Sequence, residues 1–235
     1  MKAADIQKKY YEHTAKEYDK MHLGDTGDVE HVIALRFLSS YLEFFNIKSI
    51  LDIGAGTGRT IEFFQKYHPN IKIVGIEPVH ELREQGYSKG ISREMLIAGD
   101  GNSLSFEDGE FDLVCEFAVL HHVANPEKVV SEMLRVGKKG IFISDSNNFG
   151  QGNFISRSIK QMLNTFGLWQ FYNFIRTKGK RYQISEEDGL FYSYSVFNNL
   201  SQIKRKCSKI FLLDPKSNSI NLYRSASHVA LLGIV

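Results

Sequence analysis

Only two cysteines, Cys115 and Cys207, stand in 235 residues. That is too few for a disulfide framework, so the hydrophobic core must carry the fold and a reducing compartment, the cytoplasm, is expected. Four prolines against nineteen glycines exclude a proline-rich linker and a collagen-like repeat. Every apolar run falls short of the roughly 18 residues that span a bilayer, the terminal stretch 229–235 included, which speaks against membrane insertion. The first 17 residues are charged throughout and lack the apolar stretch of a signal peptide. Hydrophobic residues at 43% and charged residues at 24% are what one well-cored globular domain requires.

Charge is balanced overall at +2 but not along the chain. Residues 1–145 carry −6 and residues 146–235 carry +8. An anionic partner would meet the second part; a solvated basic surface is the alternative.

Apolar spacing predicts a helix over Ile6–Lys20, a break at Gly24–Asp28, and a second helix over Glu30–Phe45. Short apolar runs then alternate with helical patterns. Strands are expected at Ser49–Ile53, Ile71–Ile76, Met95–Ala98, Phe111–Glu116 and Gly140–Ser144, with helices at Thr60–Tyr67, Val79–Tyr87 and Pro126–Arg135. This rhythm argues for an α/β fold, a parallel sheet wound by helices on both faces. It stops after Asp145. Segment 146–194 is aromatic and Asn/Ser-rich, with an amphipathic stretch over Ile155–Ile175, and reads as an insertion. A helix at Phe197–Lys206 and strands at Ile210–Asp214 and His228–Val235 follow, and a connection without a full helix makes the last two antiparallel. The expected division is an N-terminal helical cap (1–45), a core (46–145), the insertion (146–194), and a closing helix and strand pair (195–235).

Asp52-Ile53-Gly54-Ala55-Gly56-Thr57-Gly58 follows a predicted strand and precedes a helix, where glycines let a ligand approach the backbone and the helix end. A dinucleotide fingerprint needs a sixth-position glycine; Arg59 or Ile61 stands there, which disfavours NAD. The Asp-x-Gly-x-Gly-x-Gly spacing resembles motif I of the class I S-adenosylmethionine (SAM) methyltransferases. The resemblance continues through Glu77 and Pro78 after the second strand, Asp100 and Gly101 after the third, and Phe111–Val114 through Val119-Leu120-His121-His122-Val123. It points to the small-molecule, type 11-like branch. It implies a doubly wound, seven-stranded sheet with an antiparallel last strand, and SAM as cofactor. It also implies SAM contacts at Asp52, Gly54, Ala55, Gly56, Gly58, Glu77, Pro78, Asp100, Gly101, Glu116 and Phe117. Tyr11 and Tyr18 match a tyrosine-rich helix that closes over the cofactor in related enzymes; a plain core stripe is the alternative.

The residue chemistry agrees. A carboxylate such as Glu77 can accept both hydroxyls of a ribose. His121 or His122, on the carboxyl edge of the sheet, could deprotonate a hydroxyl, with loop packing as the competing role. Two histidines without a Cys, Asp or Glu at ligand spacing predict no metal. Asp145, Trp169, Tyr172, Arg176 and Tyr192 are the candidate acceptor contacts, and the cluster Arg176–Arg181 suits a phosphate-bearing acceptor or a solvated face. The expected activity is methyl transfer to a small molecule, through oxygen, with a sugar, sugar nucleotide or glycan intermediate in view. Nucleic acid is disfavoured, because Glu116-Phe117-Ala118-Val119 replaces the Asn/Asp-Pro-Pro-aromatic motif of amino-directed enzymes. SAM binding without turnover is the other alternative, and both monomer and homodimer fit.

Overall fold

The computed structural model describes residues 3–23, 29–186, 188–217 and 219–235. At its centre lies β1 (Ser49–Ile53), whose Ile50 and Leu51 serve opposite faces, as the two-residue period of a strand demands. Parallel neighbours flank it: β2 (Lys72–Ile76) places Ile73 beside Ile50, and β4 (Phe111–Phe117) places Leu113 on its other side. β3 (Leu96–Ile97) continues the sheet beyond β2, and β5 (Gly137–Ser146) continues it beyond β4. β9 (His228–Ile234) runs antiparallel between β5 and β8 (Lys209–Leu213). The order is β3-β2-β1-β4-β5-β9-β8, the seven-stranded, doubly wound sheet with an antiparallel closing strand that the sequence implied.

Helices cover both faces. On one, Leu35 and Leu38 of α3 (Val29–Leu42) and Ile61 and Phe64 of α4 (Arg59–Tyr67) pack with Ile50, Leu113 and Phe142. On the other, Val129, Val130 and Met133 of α6 (Pro126–Val136) pack with Leu51, Val114 and Ile141. Asn125 caps α6 by accepting from the Lys128 amide, with Pro126 in the first turn. The chain winds outward from β1 to β3 in one direction and from β4 to β5 in the other. Such a reversal opens a crevice at the carboxyl ends of β1 and β4.

Several boundaries differ from expectation. The helix over Ile6–Lys20 is two: α1 (Ala3–Thr14) and α2 (Tyr18–Leu23), split by a turn in which Thr14 Oγ1 bonds the Tyr10 carbonyl. The break expected at Gly24–Asp28 lies outside the described residues. The amphipathic stretch 155–175 is also two helices, α7 (Phe154–Thr165) and α8 (Trp169–Arg176), with Gly167 at positive φ between them. A hairpin that periodicity did not reveal, β6 (Tyr182–Ser185) and β7 (Gly189–Tyr192), follows. A 3-10 turn at Val196–Asn199 leads into a short α9 (Leu200–Lys204), and a further helix, α10 (Leu222–Ser225), precedes β9. Buried Asn147 ties these ends together. Its Nδ2 donates to the carbonyls of Leu222, Tyr223 and Ala226, and its Oδ1 accepts from Ser195 Oγ.

Candidate active site

After β1 the chain turns through Gly54 and Gly56 at φ +68° and +56°, a region that side chains disfavour. A Cβ on Gly54 would stand 2.5 Å from Val119, and one on Gly56 would stand 3.2 Å from the Tyr18 hydroxyl. The amides of Gly54 and Ala55 both donate to the Ile76 carbonyl, which straps the loop to β2. Gly58, at φ +86°, opens α4. Glu77, buried at the end of β2, accepts from the Gly56 amide at 3.0 Å and from the Val79 amide at 2.8 Å. Burial pushes its carboxyl up to about 7, against the pull of those two amides.

Asp52 is buried too, and burial pushes it up to about 7. Its Oδ1 meets the Cys115 thiol at 3.6 Å, while Oδ2 has no hydrogen-bond partner; Glu116 Oε1 is orphaned likewise. Burial and the nearby Asp145 raise the Glu116 carboxyl well above its ordinary range. Buried acceptors without donors are costly, and they suit a ligand that brings donors. Together with the glycine cradle, they fit SAM.

Other expected contacts are placed less directly. Pro78 and Asp100 are exposed, and Asp100 Oδ1 accepts from the amide and side chain of Asn102 within its own turn. A Cβ on Gly101 would stand 2.8 Å from Ile53. Phe117, expected at the cofactor, has its ring against His31 and Phe142.

Tyr11 and Tyr18 meet edge to face at 5.8 Å and pack with Ala15, Val79 and Leu82 over the start of α5 (His80–Ser88). Asp19 ties α2 to the glycine loop. It accepts from Thr57 Oγ1 in the glycine loop and from Lys89 Nζ at 3.0 Å, and Lys89 also reaches Glu62 at 3.1 Å.

Beyond β4, Ala118 adopts φ +60° and turns the chain into a 3-10 turn at Leu120–His122. Both His121 nitrogens face carboxylates: Nδ1 lies 2.6 Å from Asp145 and Nε2 lies 3.3 Å from Asp188 in the β6–β7 turn. Burial opposes charge on this imidazole, but Asp145 and Asp188 outweigh it and push it up to about 10. His122 Nδ1 donates to the Leu190 carbonyl at 2.6 Å, and its Nε2 faces the Tyr11 hydroxyl at 3.1 Å and Asp188 at 3.4 Å. Gln7, buried on α1, accepts from the Leu190 amide and donates to the Asp188 carbonyl, which clamps the hairpin to α1. Asp188 thus supplies the carboxylate that the local sequence around the histidines lacked. His121, His122 and Asp188 form a three-donor set, although both His121 nitrogens already face carboxylates that call for protons there.

The remaining acceptor candidates gather elsewhere. Ile155, Ile159, Lys160, Trp169, Tyr172 and Arg176 line a groove of about 390 Å³ between α7 and α8. Trp169 is buried, its Nε1 donating to Ser193 Oγ and its ring against Phe149. Tyr192 packs edge-on to Tyr182 across the hairpin. Reasoning from sequence missed Gln7, Asp19, Lys89 and Asp188. No spacing signal links residues so far apart; only the pair Asp188-Gly189, closing an acidic run between aromatic stretches, hinted at a turn.

Residues 51–144 match the family model described as a methyltransferase domain. Norajmaline N-methyltransferase of Rauvolfia serpentina is 33% identical over 119 residues, covering 46% of this chain and 41% of that protein. Phosphatidylethanolamine N-methyltransferase of Cereibacter sphaeroides is 30% identical over 127 residues, covering 50% of this chain and 61% of that protein. The chain thus spans about half the length of the curated relatives it matches. A Thermotoga maritima structure described as a SAM-dependent methyltransferase, possible histamine N-methyltransferase, aligns over 96% of this chain and 98% of that one. Its TM-score is 0.59 at 17% identity, a likeness of fold. The matched segment runs from β1 to β5, through the glycine loop, Glu77 and the histidine pair, so this part of the chain is similar to a methyltransferase domain.

Proposed function

We propose that the chain transfers a methyl group from SAM to a small-molecule nucleophile held beside the His121–His122–Asp188 cluster. The observation that carries this reading is the cradle itself: two left-handed glycines, a buried Glu77 and the unpaired Asp52 Oδ2, adjoining a closed polar cluster. Bound SAM supplies an activated methyl group, so the chain's own task is alignment and exclusion of water. Glu77 would accept from the ribose, Asp52 from the amino-acid end, and Tyr11 and Tyr18 would cover the cofactor. His122, His121 and Asp188 would orient the acceptor.

The acceptor atom follows from charge. His121, held as an imidazolium by Asp145 and Asp188, is a poor general base at neutral pH, which removes one of the two bases expected for an oxygen acceptor. Asp188 offers a carboxylate to an amine, and the curated relatives named above are N-methyltransferases, so nitrogen is the favoured acceptor atom. A hydroxyl, with His122 as base, is the second reading; its support is the contact of Nε2 with the Tyr11 hydroxyl. Sugar-type acceptors belong to that second reading.

Calorimetry with SAM, followed by mass spectrometry of reactions with pooled amines and pooled hydroxyl compounds, tests both levels. Absence of SAM binding removes the proposal. Binding without any methylated product leaves a SAM-binding protein, and product only in the hydroxyl pool reverses the choice of atom.

A further inference from the structure

From Ser146 to Ser185 the chain holds six Lys and Arg and no Asp or Glu. These forty residues also carry the largest group of exposed apolar side chains among the described residues. On α7 and its C-cap, Ile155, Ile159, Met162 and Phe166 recur at helical spacing and are 47–70% exposed. On α8, Phe171 and Ile175 are 65% and 60% exposed.

The orientation of α7 is the informative feature, because it is inverted. An amphipathic helix in a globular protein normally turns its apolar stripe to the core. Here no residue of α7 is buried, and it is the polar side that faces the body of the protein. Lys160 Nζ donates to the carbonyls of Asn148 and Gln151, Gln161 Nε2 donates to those of Phe149 and Arg224, and Asn164 Nδ2 donates to the Tyr223 hydroxyl. These bonds hold the apolar stripe outward. Arg176 lines the groove between the helices with Ile155, Ile159 and Lys160, and Arg181 lies over the ring of the half-exposed Phe174 on α8, with Lys178 and Lys180 in the turn between them.

We propose that the α7–α8 surface docks on an anionic lipid bilayer, with the apolar stripe entering the headgroup boundary and the cations meeting lipid phosphates. Apolar and cationic side chains on one surface are what an interfacial helix presents to such a membrane. The short helices lie on the bilayer and do not cross it, in keeping with the absence, among the described residues, of any helix long and apolar enough to span. Charge argues against a second copy as occupant, since a two-fold contact would set Arg176, Lys178, Lys180 and Arg181 against their own copies with no Asp or Glu between residues 146 and 185 to relieve them. Nucleic acid would meet the cations but leave Ile155, Ile159, Met162 and Ile175 against phosphates, where aliphatic side chains gain nothing. The inference does not rest on the methyl-transfer reading.

The test uses the full chain and vesicles of phosphatidylcholine, with and without phosphatidylglycerol, separated by sedimentation. Binding is expected to the phosphatidylglycerol vesicles alone and to weaken with added salt. The double variant Ile155→Asp/Phe171→Asp, at exposed positions that leave the core untouched, should bind at least ~10-fold more weakly with an unchanged circular dichroism spectrum. Lys178→Gln/Arg181→Gln should lose part of the binding and most of its salt dependence. The proposal fails if wild type ignores phosphatidylglycerol vesicles at low salt or if the Asp double variant binds as wild type does. It fails equally if analytical ultracentrifugation shows a dimer that this variant dissociates, or if single-stranded RNA displaces the protein from vesicles at equal phosphate concentration.

Discussion

The glycine cradle and the polar cluster beside it occupy one edge of the sheet but are built in opposite ways. The cradle is backbone from one short stretch, Asp52 to Gly58, braced by Glu77 from the next strand. The cluster is side chains from four distant places: Gln7 and Tyr11 on α1, the histidines after β4, Asp145 on β5 and Asp188 in the hairpin. A loop shape can be written in consecutive residues, because φ > 0 and close approach demand glycine at fixed positions. A convergent set of side chains depends on topology, and no local pattern announces it.

The sharpest way to break the cluster is at its buried end. Asp145→Asn leaves His121 without its main counter-charge, and removing one partner of a buried pair costs about 3–5 kcal/mol. Urea denaturation should show a loss of that size. The pH dependence gives a second check. His121 is raised from 6.5 to about 10 in the folded state, so its stabilising contribution is complete below about pH 6.5 and fades as pH rises through about 10. Wild type should weaken across that window, and Asp145→Asn should show a shallower slope. Equal slopes would detach His121 from Asp145 in solution.

The cradle is tested at Gly56. A side chain at φ +56° costs about 1–2 kcal/mol, and a β-branched one also meets the Tyr18 hydroxyl. Gly56→Val should therefore weaken SAM binding about 100-fold by calorimetry while the far-ultraviolet spectrum stays the same. A folded variant with ordinary affinity would remove the loop from the site.

The contrast also explains what the sequence made legible. Alternating runs such as Ile50-Leu51, Leu113-Val114 and Ile141-Phe142 announced a sheet covered on both faces, since each residue serves one layer. Gly54, Gly56 and Glu77 were readable for the same local reason. Phe117 closes its strand with its ring against His31 of α3, a contact that the strand pattern alone does not announce. The hairpin escaped notice because its four-residue strands carry little alternation, and its pairing is fixed by Gln7, far away in sequence. The helix α7 misled for a different reason: its period was plain, but period alone does not say which side faces inward.

Asp52 separates stability from function inside the cradle. Its carboxyl is raised from 3.8 to about 7, so ionisation above that pH weakens the fold, and the stability present below about pH 3.8 is lost as pH rises through about 7. Asp52→Asn should stabilise the ligand-free protein by about 2 kcal/mol at pH 8 and make no difference near pH 4. The same variant should bind SAM less tightly, because the unpaired Oδ2 is the acceptor awaiting a donor. Thermal unfolding with and without SAM reads both effects at once.

The smallest effect is expected at the latch, where backbone cradle and distant side chains are joined by solvent-accessible charges. Lys89 is 24% exposed and links Asp19 at 3.0 Å with Glu62 at 3.1 Å, so its removal should cost under about 1 kcal/mol of stability. Kinetics should respond more than stability. Asp19 also bonds Thr57 in the glycine loop, which makes this network the tie between the Tyr11–Tyr18 helices and the cradle. Lys89→Met should then speed SAM release severalfold in stopped-flow experiments, with little change in the association rate and an urea midpoint close to wild type. Adding salt to wild type should move the release rate in the same direction, because partly exposed ion pairs are screened. A release rate indifferent to both Lys89→Met and salt would mean that α1 and α2 are held by the packing of Tyr11 and Tyr18 on Val79 and Leu82 rather than by the latch.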